Sequence, residues 1–426
     1  MESNEVDIVK YIKRINESLL DMYLRTFKAV VIVGPKFSGK TTLAKQYAKS
    51  SIILTPLNMD DYKTMLQLNP DVFFAGGKPK LIDEWQLIPE TWDLLRHQVD
   101  KEEGRGLYIL TGSSAANFNE NMHSGAGRIG RMIIRPMSLF EVGASSGQIS
   151  LKELFEGEAF NYLKSELTVN DYALWIIKGG WPEGINDTEE QAIIKNNAYL
   201  AAVVKEDVNK VSGKTYNELR MLKIIESLAR RTASEATNVG IINDLKTLDE
   251  STSPNTLVDY LDVLNKIYIL DDLKNWNPNL RSKTTIRSTP ARFFVDPSIS
   301  AAALKLTSKR LNADFNAFGL FFEALVLRDL RIYSEVIGGE LFRYKDRSDL
   351  EIDMVIQLND GRWGAIEVKM GSHEFDKAAT NLIKFANKVD QKAMGKPSFL
   401  AIISATEYAY VRDDGVLVIP LGVLKD

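Results

Sequence analysis

Residues 34 to 41 read Gly34-Pro35-Lys36-Phe37-Ser38-Gly39-Lys40-Thr41. An apolar, β-branched run from residue 29 to residue 33 precedes them and predicts a buried strand, and a helical pattern follows through Lys49. A glycine loop between a strand and a helix turns backbone N–H groups and the positive end of the helix dipole toward phosphate groups. The stretch therefore predicts a phosphate-binding loop at the edge of a sheet.

The chemistry of this loop indicates a nucleoside triphosphate as its ligand. Lys40 is placed to reach the β- and γ-phosphates, and Thr41 is placed to ligate Mg²⁺. We therefore expect ATP and Mg²⁺ as cofactors. The residues expected to bind the nucleotide are Gly34, Pro35, Lys36, Ser38, Gly39, Lys40, Thr41, Thr42 and, further along the chain, Ser113.

Two acidic residues end a later apolar run, Leu81-Ile82-Asp83-Glu84. Hydrolysis of ATP needs a carboxylate on the metal side of the site and a group that orients the attacking water. We assign the metal to Asp83, together with Thr41, and the activation of water to Glu84. The alternative is a strand-end turn with two solvated acids.

Small polar and basic groups follow along the same predicted sheet. Ser113 ends the run Leu110-Thr111-Gly112-Ser113, where a sensor of the γ-phosphate is expected, and an ordinary Gly-Ser turn is the alternative. Arg128 and Arg131 lie in the glycine-rich segment after it, and either is a candidate arginine finger. A solvated basic loop is the alternative for both. A finger supplied by a neighbouring subunit would require a homo-oligomer.

Length and composition limit the class of protein. A chain of 426 residues is too long for one ordinary core and predicts several domains, with strands alternating with helices as in a parallel α/β sheet. Apolar residues make up 45% and charged residues 26%, as in globular proteins. The net charge of −4 excludes a general positive field, so nucleic acid would need a local basic patch.

Several chemistries and locations are excluded or disfavoured. With no cysteine, the chain forms no disulfide, thiolate zinc site or cysteine nucleophile, and this fits a cytoplasmic protein. Its three histidines are far apart in sequence, which disfavours a His-rich metal site. The acidic, polar start has no signal-peptide pattern, and no run of 18 apolar residues is present, so we expect no membrane association.

The middle of the chain predicts helices followed by a basic loop. Residues 145 to 205 have helical periodicity, and residues 215 to 275 contain several short helical patterns. A strand and a turn-rich basic stretch follow, and this order predicts a winged helix whose loop contacts DNA phosphates. The candidate DNA contacts are Arg281, Lys283, Arg287 and Arg292, with a plain solvated loop as the alternative.

A second set of acids lies in a predicted hairpin near the C-terminus. Strand patterns at residues 351–356 and 363–369 flank the turn signal Asn359-Asp360-Gly361. Alternation places Glu367 and Lys369 on one face of the second strand, and pairing brings Asp353 near them. Two carboxylates and a lysine in a hairpin form the PD-(D/E)xK nuclease pattern.

The roles in that pattern follow from the side chains. Asp353 and Glu367 would hold Mg²⁺, and Lys369 would position or activate water for attack on a phosphodiester. Glu323, on an upstream helical stretch, would add a ligand. The alternatives are solvated acids at a hairpin, or a nuclease fold kept only for binding.

The sequence resembles bacterial and archaeal AAA-type P-loop ATPases that carry a fused C-terminal region of largely unassigned function. The resemblance covers nearly the whole chain and rests on residues 34–42, 81–84, 110–113, 125–141 with the ending Arg-Pro-Met-Ser-Leu-Phe-Glu, the Gly-Gly-Trp-Pro at 179–182, and the C-terminal acids with Lys369. It implies an ATPase core, a winged-helix region and a restriction-endonuclease-like end.

We therefore predict four domains: a P-loop ATPase domain at residues 1–145, a helical lid or linker at 146–210, a winged helix at 211–295 and a PD-(D/E)xK-like α/β domain at 296–426. The predicted function is ATP hydrolysis coupled to action on DNA, with branched and single-stranded forms as candidates, by a homo-oligomer. One alternative is a nucleotide-dependent regulatory switch with an inactive nuclease-like domain that binds a protein partner. A nuclease gated by ATP is a third reading.

Overall fold

The computed structural model describes residues 11–113, 127–158, 160–246, 252–278 and 290–426. Its N-terminal part alternates strands and helices, as the sequence predicts. The elements are α1 (Glu17–Thr26), β1 (Ala29–Val33), α2 (Lys40–Tyr47), β2 (Ser50–Ile53), α3 (Met59–Leu68), α4 (Pro70–Phe74), β3 (Lys80–Asp83), α5 (Glu90–Lys101), β4 (Tyr108–Gly112) and β5 (Ile129–Ile133).

These five strands form one parallel sheet in the order β2-β3-β4-β1-β5. Every residue of β1, β3 and β4 is buried, because helices cover both faces of the sheet. Parallel strands end at one edge, so the segments that follow β1, β3 and β4 share a crevice, with β4 between the other two. The expected parallel α/β sheet is confirmed.

Two elements differ from the sequence prediction. The helical periodicity of residues 7–27 predicts a helix there, but residues 11–16 are not helical and α1 begins at Glu17. The buried Arg14, in this non-helical segment, pairs with Glu141. Residues 129–133, predicted as part of a glycine-rich segment, form the edge strand β5. Gly130 is needed there, since a Cβ at this position would lie 2.4 Å from the Phe27 ring.

The middle of the chain is mainly helical. Thr168 with Asp171, and Thr188 with Gln191, form capping boxes that start two of its helices. The elements are β6 (Ile149–Ser150), α6 (Leu151–Glu156), β7 (Leu163–Lys164), α7 (Val169–Lys178), α8 (Glu189–Ala202), a π-helical turn (Val203–Asp207), α9 (Val208–Ser212), α10 (Glu218–Arg230), α11 (Asn238–Lys246) and α12 (Pro254–Lys266).

The helices α10, α11 and α12 precede a small antiparallel ladder. Leu270 pairs with Phe294, and Leu273 pairs with Ala291, so two extended segments flank residues 274–290. Ser234, between α10 and α11, pairs with Arg292. The buried faces of the three helices share one apolar core with the ladder residues Leu270 and Phe294.

The C-terminal part forms a second sheet packed against a long helix. Its elements are α13 (Pro297–Ala303), α14 (Ser308–Ala313), α15 (Phe315–Val336), β8 (Gly339–Lys345), β9 (Glu351–Leu358), β10 (Trp363–Lys369), α16 (Phe375–Lys388), α17 (Gln391–Met394), β11 (Leu400–Ser404), β12 (Tyr408–Val411), β13 (Leu417–Pro420) and β14 (Leu424–Lys425). No helix among the described residues is both long and apolar enough to cross a membrane.

The C-terminal sheet has the order β7-β12-β13-β11-β10-β9-β8. Strands β8, β9 and β10 form an antiparallel meander, and α16 leads to β11, which is parallel to β10. Strand β7 pairs with β12, and β6 pairs with β14, so residues 149–164 join the C-terminal strands rather than a purely helical linker. The predicted domain boundaries stay predictions.

Candidate functional site

The loop between β1 and α2 depends on two glycines. Gly34 has φ +147°, and a Cβ there would lie 2.1 Å from the carbonyl oxygen of Ile134. Gly39 has φ +89° and caps α2 in the left-handed region that other residues disfavour. The loop backbone can therefore curl tightly over the N-terminus of α2, where free N–H groups attract anions.

Lys40 lies inside this loop and is only 5% exposed. Its Nζ donates to the carbonyl oxygens of Gly34, at 3.1 Å, and Pro35, at 2.6 Å. Burial lowers the pKa of Lys40 to about 8, although the carboxylates of Glu84 and Asp83 oppose this shift. A buried cation among backbone dipoles is a site for a strongly anionic ligand such as a triphosphate.

Asp83 connects α2, the helix that follows the phosphate loop, to the central strand β4. The Thr41 hydroxyl donates to Asp83 Oδ1 over 2.8 Å, and the Thr111 hydroxyl, on β4, donates to the same oxygen. One carboxylate and one hydroxyl, with phosphate oxygens and water, are the ligands that Mg²⁺ usually takes. The donor set therefore fits the predicted pair of metal ligands, Thr41 and Asp83.

Glu84 follows directly and turns away from the strand. It has φ +54°, which is uncommon for a residue with a side chain, and Gln86 Nε2 donates to its Oε2. Burial raises the pKa of Glu84, with the charge of Lys40 opposing this shift. A carboxylate that binds a proton more readily than usual suits a general base for water.

The sequence prediction for the end of β4 named Ser113 and passed over Thr111. Ser113 follows β4 at the same edge of the sheet, and Thr111 is the residue that contacts Asp83. Gln86, which orients Glu84, was not predicted either. Thr111 was detectable in principle, since it occupies the last buried polar position of an apolar strand.

The remaining loop residues have structural roles as well. The Ser38 hydroxyl donates to Pro35 O over 2.9 Å, and Thr42 is exposed on the first turn of α2. Lys36 forms an ion pair with Asp207, at the end of the π-helical turn. The sequence carried no signal for this contact, because the partners are 171 residues apart.

The buried side chain of Arg14 supports the phosphate loop through hydrogen bonds. Arg14 donates from Nη1 to Ser38 O at 2.8 Å, from Nη2 to Arg135 O at 2.8 Å, and from Nε to Glu141 Oε1 at 2.8 Å. Arg135 in turn pairs with Asp271 and Glu335, each at 2.6 Å. The Arg-Pro-Met-Ser-Leu-Phe-Glu segment at 135–141 therefore links the loop to the rest of the chain.

Neither candidate arginine finger lies beside the loop of its own chain. Arg128 precedes β5, at the end of the sheet opposite the loop, and pairs with Asp100 at 2.7 Å. Arg131 lies on β5 and donates to the Tyr268 hydroxyl. Both side chains are solvent-accessible and β5 is an edge strand, so either could act only on a neighbouring copy. Their role as fingers stays a prediction.

The C-terminal acids come together as the hairpin pattern predicts. Lys369 Nζ lies 3.1 Å from Asp353 Oδ2 and 2.7 Å from Glu367 Oε2. The Val368 backbone N–H donates to Asp353 Oδ2 over 2.8 Å and fixes its direction. These side chains line a cleft of about 200 Å³ whose other wall is the start of α16, with Lys377 and Asn381.

The carboxylates of this cluster influence one another strongly. Burial and the Asp353 charge raise the pKa of Glu367 to about 8, and the same two causes raise the pKa of Glu323 well above its usual range. The two carboxylates raise the pKa of Lys369 despite its burial. Among the described residues, no group of three or more histidine, aspartate or glutamate side chains is arranged to hold a metal ion. Binding of Mg²⁺ by Asp353, Glu367 and Glu323 stays a prediction.

The predicted DNA contacts fall in two groups. Arg281, Lys283 and Arg287 lie outside the described residues. Arg292 lies in the ladder, where it pairs with Ser234, and its side chain is 12% exposed and ion-paired with Asp272. This guanidinium is committed to an internal pair, which argues against phosphate contact by Arg292.

Comparison with protein families divides the chain into three matched segments. Residues 26–143 match a family described as an AAA domain. Residues 169–310 and 318–424 match two families described as domains of unknown function, DUF8612 and DUF4143. No curated protein matches the chain.

Two solved structures are distantly similar to the chain. A Walker-type ATPase of Pyrococcus abyssi has 13% identity and a TM-score of 0.43, over 69% of this chain and 96% of that one. The replication initiator DnaA, bound to AMPPCP and single-stranded DNA, has 14% identity and a TM-score of 0.26, over 61% and 93%. These scores carry no inference about function. The family match at residues 26–143, with the loop, Asp83 and Glu84, supports an AAA-type P-loop ATPase domain in this chain.

Proposed function

We propose that this chain is an AAA-type ATPase that hydrolyses ATP and acts on DNA through its C-terminal region. The observation that carries the proposal is the position of Asp83, which accepts from Thr41 beside the phosphate loop and from Thr111 on the central strand. In support of the proposal, Asp83 ends β3 and the neighbouring Glu84 follows it, at the edge of the sheet that carries the phosphate loop.

The chemical roles follow from these positions. Lys40 and the loop N–H groups bind the phosphates, and Mg²⁺ held by Thr41 and Asp83 would neutralise charge on the β- and γ-phosphate oxygens. Glu84 accepts a proton from water as the water oxygen bonds to the γ-phosphorus. The bond from this phosphorus to the β–γ bridging oxygen breaks, which yields ADP and phosphate.

We assign a restriction-endonuclease-like fold and a PD-(D/E)xK site to the C-terminal part. In support, the order α15, antiparallel β8-β9-β10, α16 and parallel β11 surrounds the cleft that contains Asp353, Glu367 and Lys369. Mg²⁺ at the two carboxylates would polarise a phosphodiester, and Lys369 would position the attacking water. Cleavage would break a phosphorus–oxygen bond of the backbone.

A winged helix at residues 211–295 would bring DNA to this site. Three helices followed by a ladder on both sides of residues 274–290 support this assignment. On the exposed face of α12, Asp259 pairs with Lys214 and Asp262 pairs with Lys266, so carboxylates already engage these lysines in place of DNA phosphates. The basic segment with Arg281, Lys283 and Arg287, which lies outside the described residues, is the proposed contact. A homo-oligomer would supply Arg128 or Arg131 to a neighbouring site.

DNA should stimulate ATP hydrolysis if the two activities are coupled. We expect turnover to rise at least about fivefold with a saturating DNA ligand, because a coupling free energy of 1–3 kcal/mol corresponds to roughly 5- to 150-fold. The measurement compares phosphate release with duplex, branched and single-stranded DNA. Equal turnover with and without every DNA form, in a chain that hydrolyses ATP, would contradict action on DNA.

Cleavage of DNA should depend on Asp353. We expect Asp353→Asn to reduce Mg²⁺- or Mn²⁺-dependent cleavage by more than about 100-fold, since a metal ligand supports several kcal/mol of transition-state stabilisation. Asp360→Asn, in the exposed hairpin turn, is the matched control and should cut like the wild type. Cleavage that survives Asp353→Asn, or a wild type that cuts no DNA form, would remove the nuclease assignment.

The second candidate function is a nucleotide-dependent switch whose C-terminal region binds a protein. The ion pairs of Lys369 favour it, because a lysine that contacts both Asp353 and Glu367 balances part of their charge within the protein itself. Under this function Lys369 serves only to neutralise Asp353 and Glu367. Unstimulated ATP hydrolysis together with absent cleavage would favour the switch over the first proposal.

A further inference from the structure

Lys36 is a second lysine within the phosphate loop, and its partner lies in another part of the chain. Its Nζ forms an ion pair with Asp207, whose side chain is only 8% exposed. Asp207 ends the π-helical turn Val203–Asp207, between α8 and α9. Such turns are uncommon within helices and often occur at functional positions.

Lys36 and Lys40 lie on the same loop but contact different partners. The Nζ of Lys40 is buried and donates to the carbonyl oxygens of Gly34 and Pro35, whereas the Nζ of Lys36 reaches Asp207. Two lysines four residues apart in one phosphate-binding loop can bring two cations to the same anionic ligand.

We propose that Lys36 is a second phosphate-binding cation and that it exchanges Asp207 for the γ-phosphate when ATP binds. The proposal rests on the proposed ATPase function and adds a residue to it. Lysine suits an exchange because its ammonium is a point charge on a flexible stem, and the Lys36 side chain is 40% exposed. ADP lacks the γ-phosphate and leaves Lys36 paired with Asp207.

The exchange would carry the nucleotide state into the helical region. A buried carboxylate that loses its cation is unfavourable, so the π-helical turn must adjust when ATP holds Lys36. The neighbouring loop residue Phe37 packs edge-on against Tyr199 of α8, with ring centroids 6.1 Å apart, and gives the loop a second contact with the helical region. Asp207 is thus a positioning residue that competes with the γ-phosphate for Lys36.

If Asp207 and the γ-phosphate compete for Lys36, substitutions of Lys36 and of Asp207 should change the affinity for ATP in opposite directions. Lys36→Ala should weaken ATP binding about tenfold and leave ADP binding within about twofold, since a charge-assisted contact to the γ-phosphate is lost. Asp207→Asn should tighten ATP binding several-fold, with ADP again unchanged, because Lys36 is released. The measurement is the dissociation constant of each nucleotide for the full chain, with Mg²⁺ present, by calorimetry.

Three further variants keep the test sharp. Lys36→Arg should retain the preference for ATP, and Lys210→Ala, which removes an exposed pair with Glu206 one turn away, should bind both nucleotides like the wild type. The double variant Lys36→Ala with Asp207→Asn leaves no unpaired buried charge and should bind like Lys36→Ala alone, which separates phosphate contact from folding.

Results that would overturn the exchange of Lys36 differ from results that would overturn the ATPase function. Weaker ATP binding in Asp207→Asn, or an equal loss of ATP and ADP in Lys36→Ala, would overturn the exchange and leave a structural ion pair. A wild-type chain that binds neither nucleotide would overturn the ATPase function itself.

Discussion

Replacing Glu84 by Gln should lower the rate of ATP hydrolysis by about 100- to 10,000-fold, the range that a positioned general base contributes. The substitution keeps the size of the side chain and its contact with Gln86, so the crevice should keep its shape. Lys40, Thr41 and Asp83 remain in place, and ATP should therefore bind at least as tightly as to the wild type. The measurements are single-turnover hydrolysis and equilibrium binding of ATP.

A substitution of the same kind at the protein surface serves as the control for Glu84→Gln. Glu103 is an exposed acid after α5, and Glu103→Gln should leave both turnover and binding unchanged. If Glu84→Gln hydrolyses ATP within threefold of the wild type, Glu84 is not the base. If it loses ATP binding as well, Glu84 shapes the site rather than activating water.

The local structure around the phosphate loop could be predicted from sequence because its signals are local. Gly34 and Gly39 adopt backbone conformations that only glycine accepts readily, and Asp83 ends a continuously apolar strand. The hairpin that carries Asp353, Glu367 and Lys369 was predictable for the same reason, since strand alternation and pairing decide which side chains meet.

The supporting contacts could not be predicted because they join distant segments. Arg14 and Glu141 are 127 residues apart, and Lys36 and Asp207 are 171 apart. An arginine or aspartate at such a position looks like any surface charge until folding buries it. Local pattern also misplaced the start of α1, where the tertiary contact of Arg14 overrides helical periodicity, and it missed the edge strand β5.

Arg328 is another buried arginine that connects distant segments of the chain. Its guanidinium is 1% exposed, and it binds the fully buried carboxylates of Asp296, at 3.1 Å, and Asp329, at 2.8 Å. Asp296 accepts from the Gly180 backbone N–H, and Asp329 accepts from that of Leu139, so one arginine holds α15 to two loops of the preceding regions. The folded state needs this arginine, because without it the carboxylates of Asp296 and Asp329 would be buried without a cation to balance them.

Arg328→Ala should therefore lower the free energy of unfolding by about 3–5 kcal/mol, the cost of leaving buried charges unpaired. Arg25→Ala, which removes an exposed pair with Asp21, should change it by less than about 1 kcal/mol. Burial already raises the pKa of Asp329, and loss of the cation would raise it further, so the folded state would take up protons. The loss of unfolding free energy in Arg328→Ala, relative to the wild type, should consequently shrink as the pH falls, because a neutral carboxyl is easier to bury. Chemical denaturation at several pH values measures both effects, and a loss below 1 kcal/mol, or one that grows in acid, would show that Arg328 does not hold these loops.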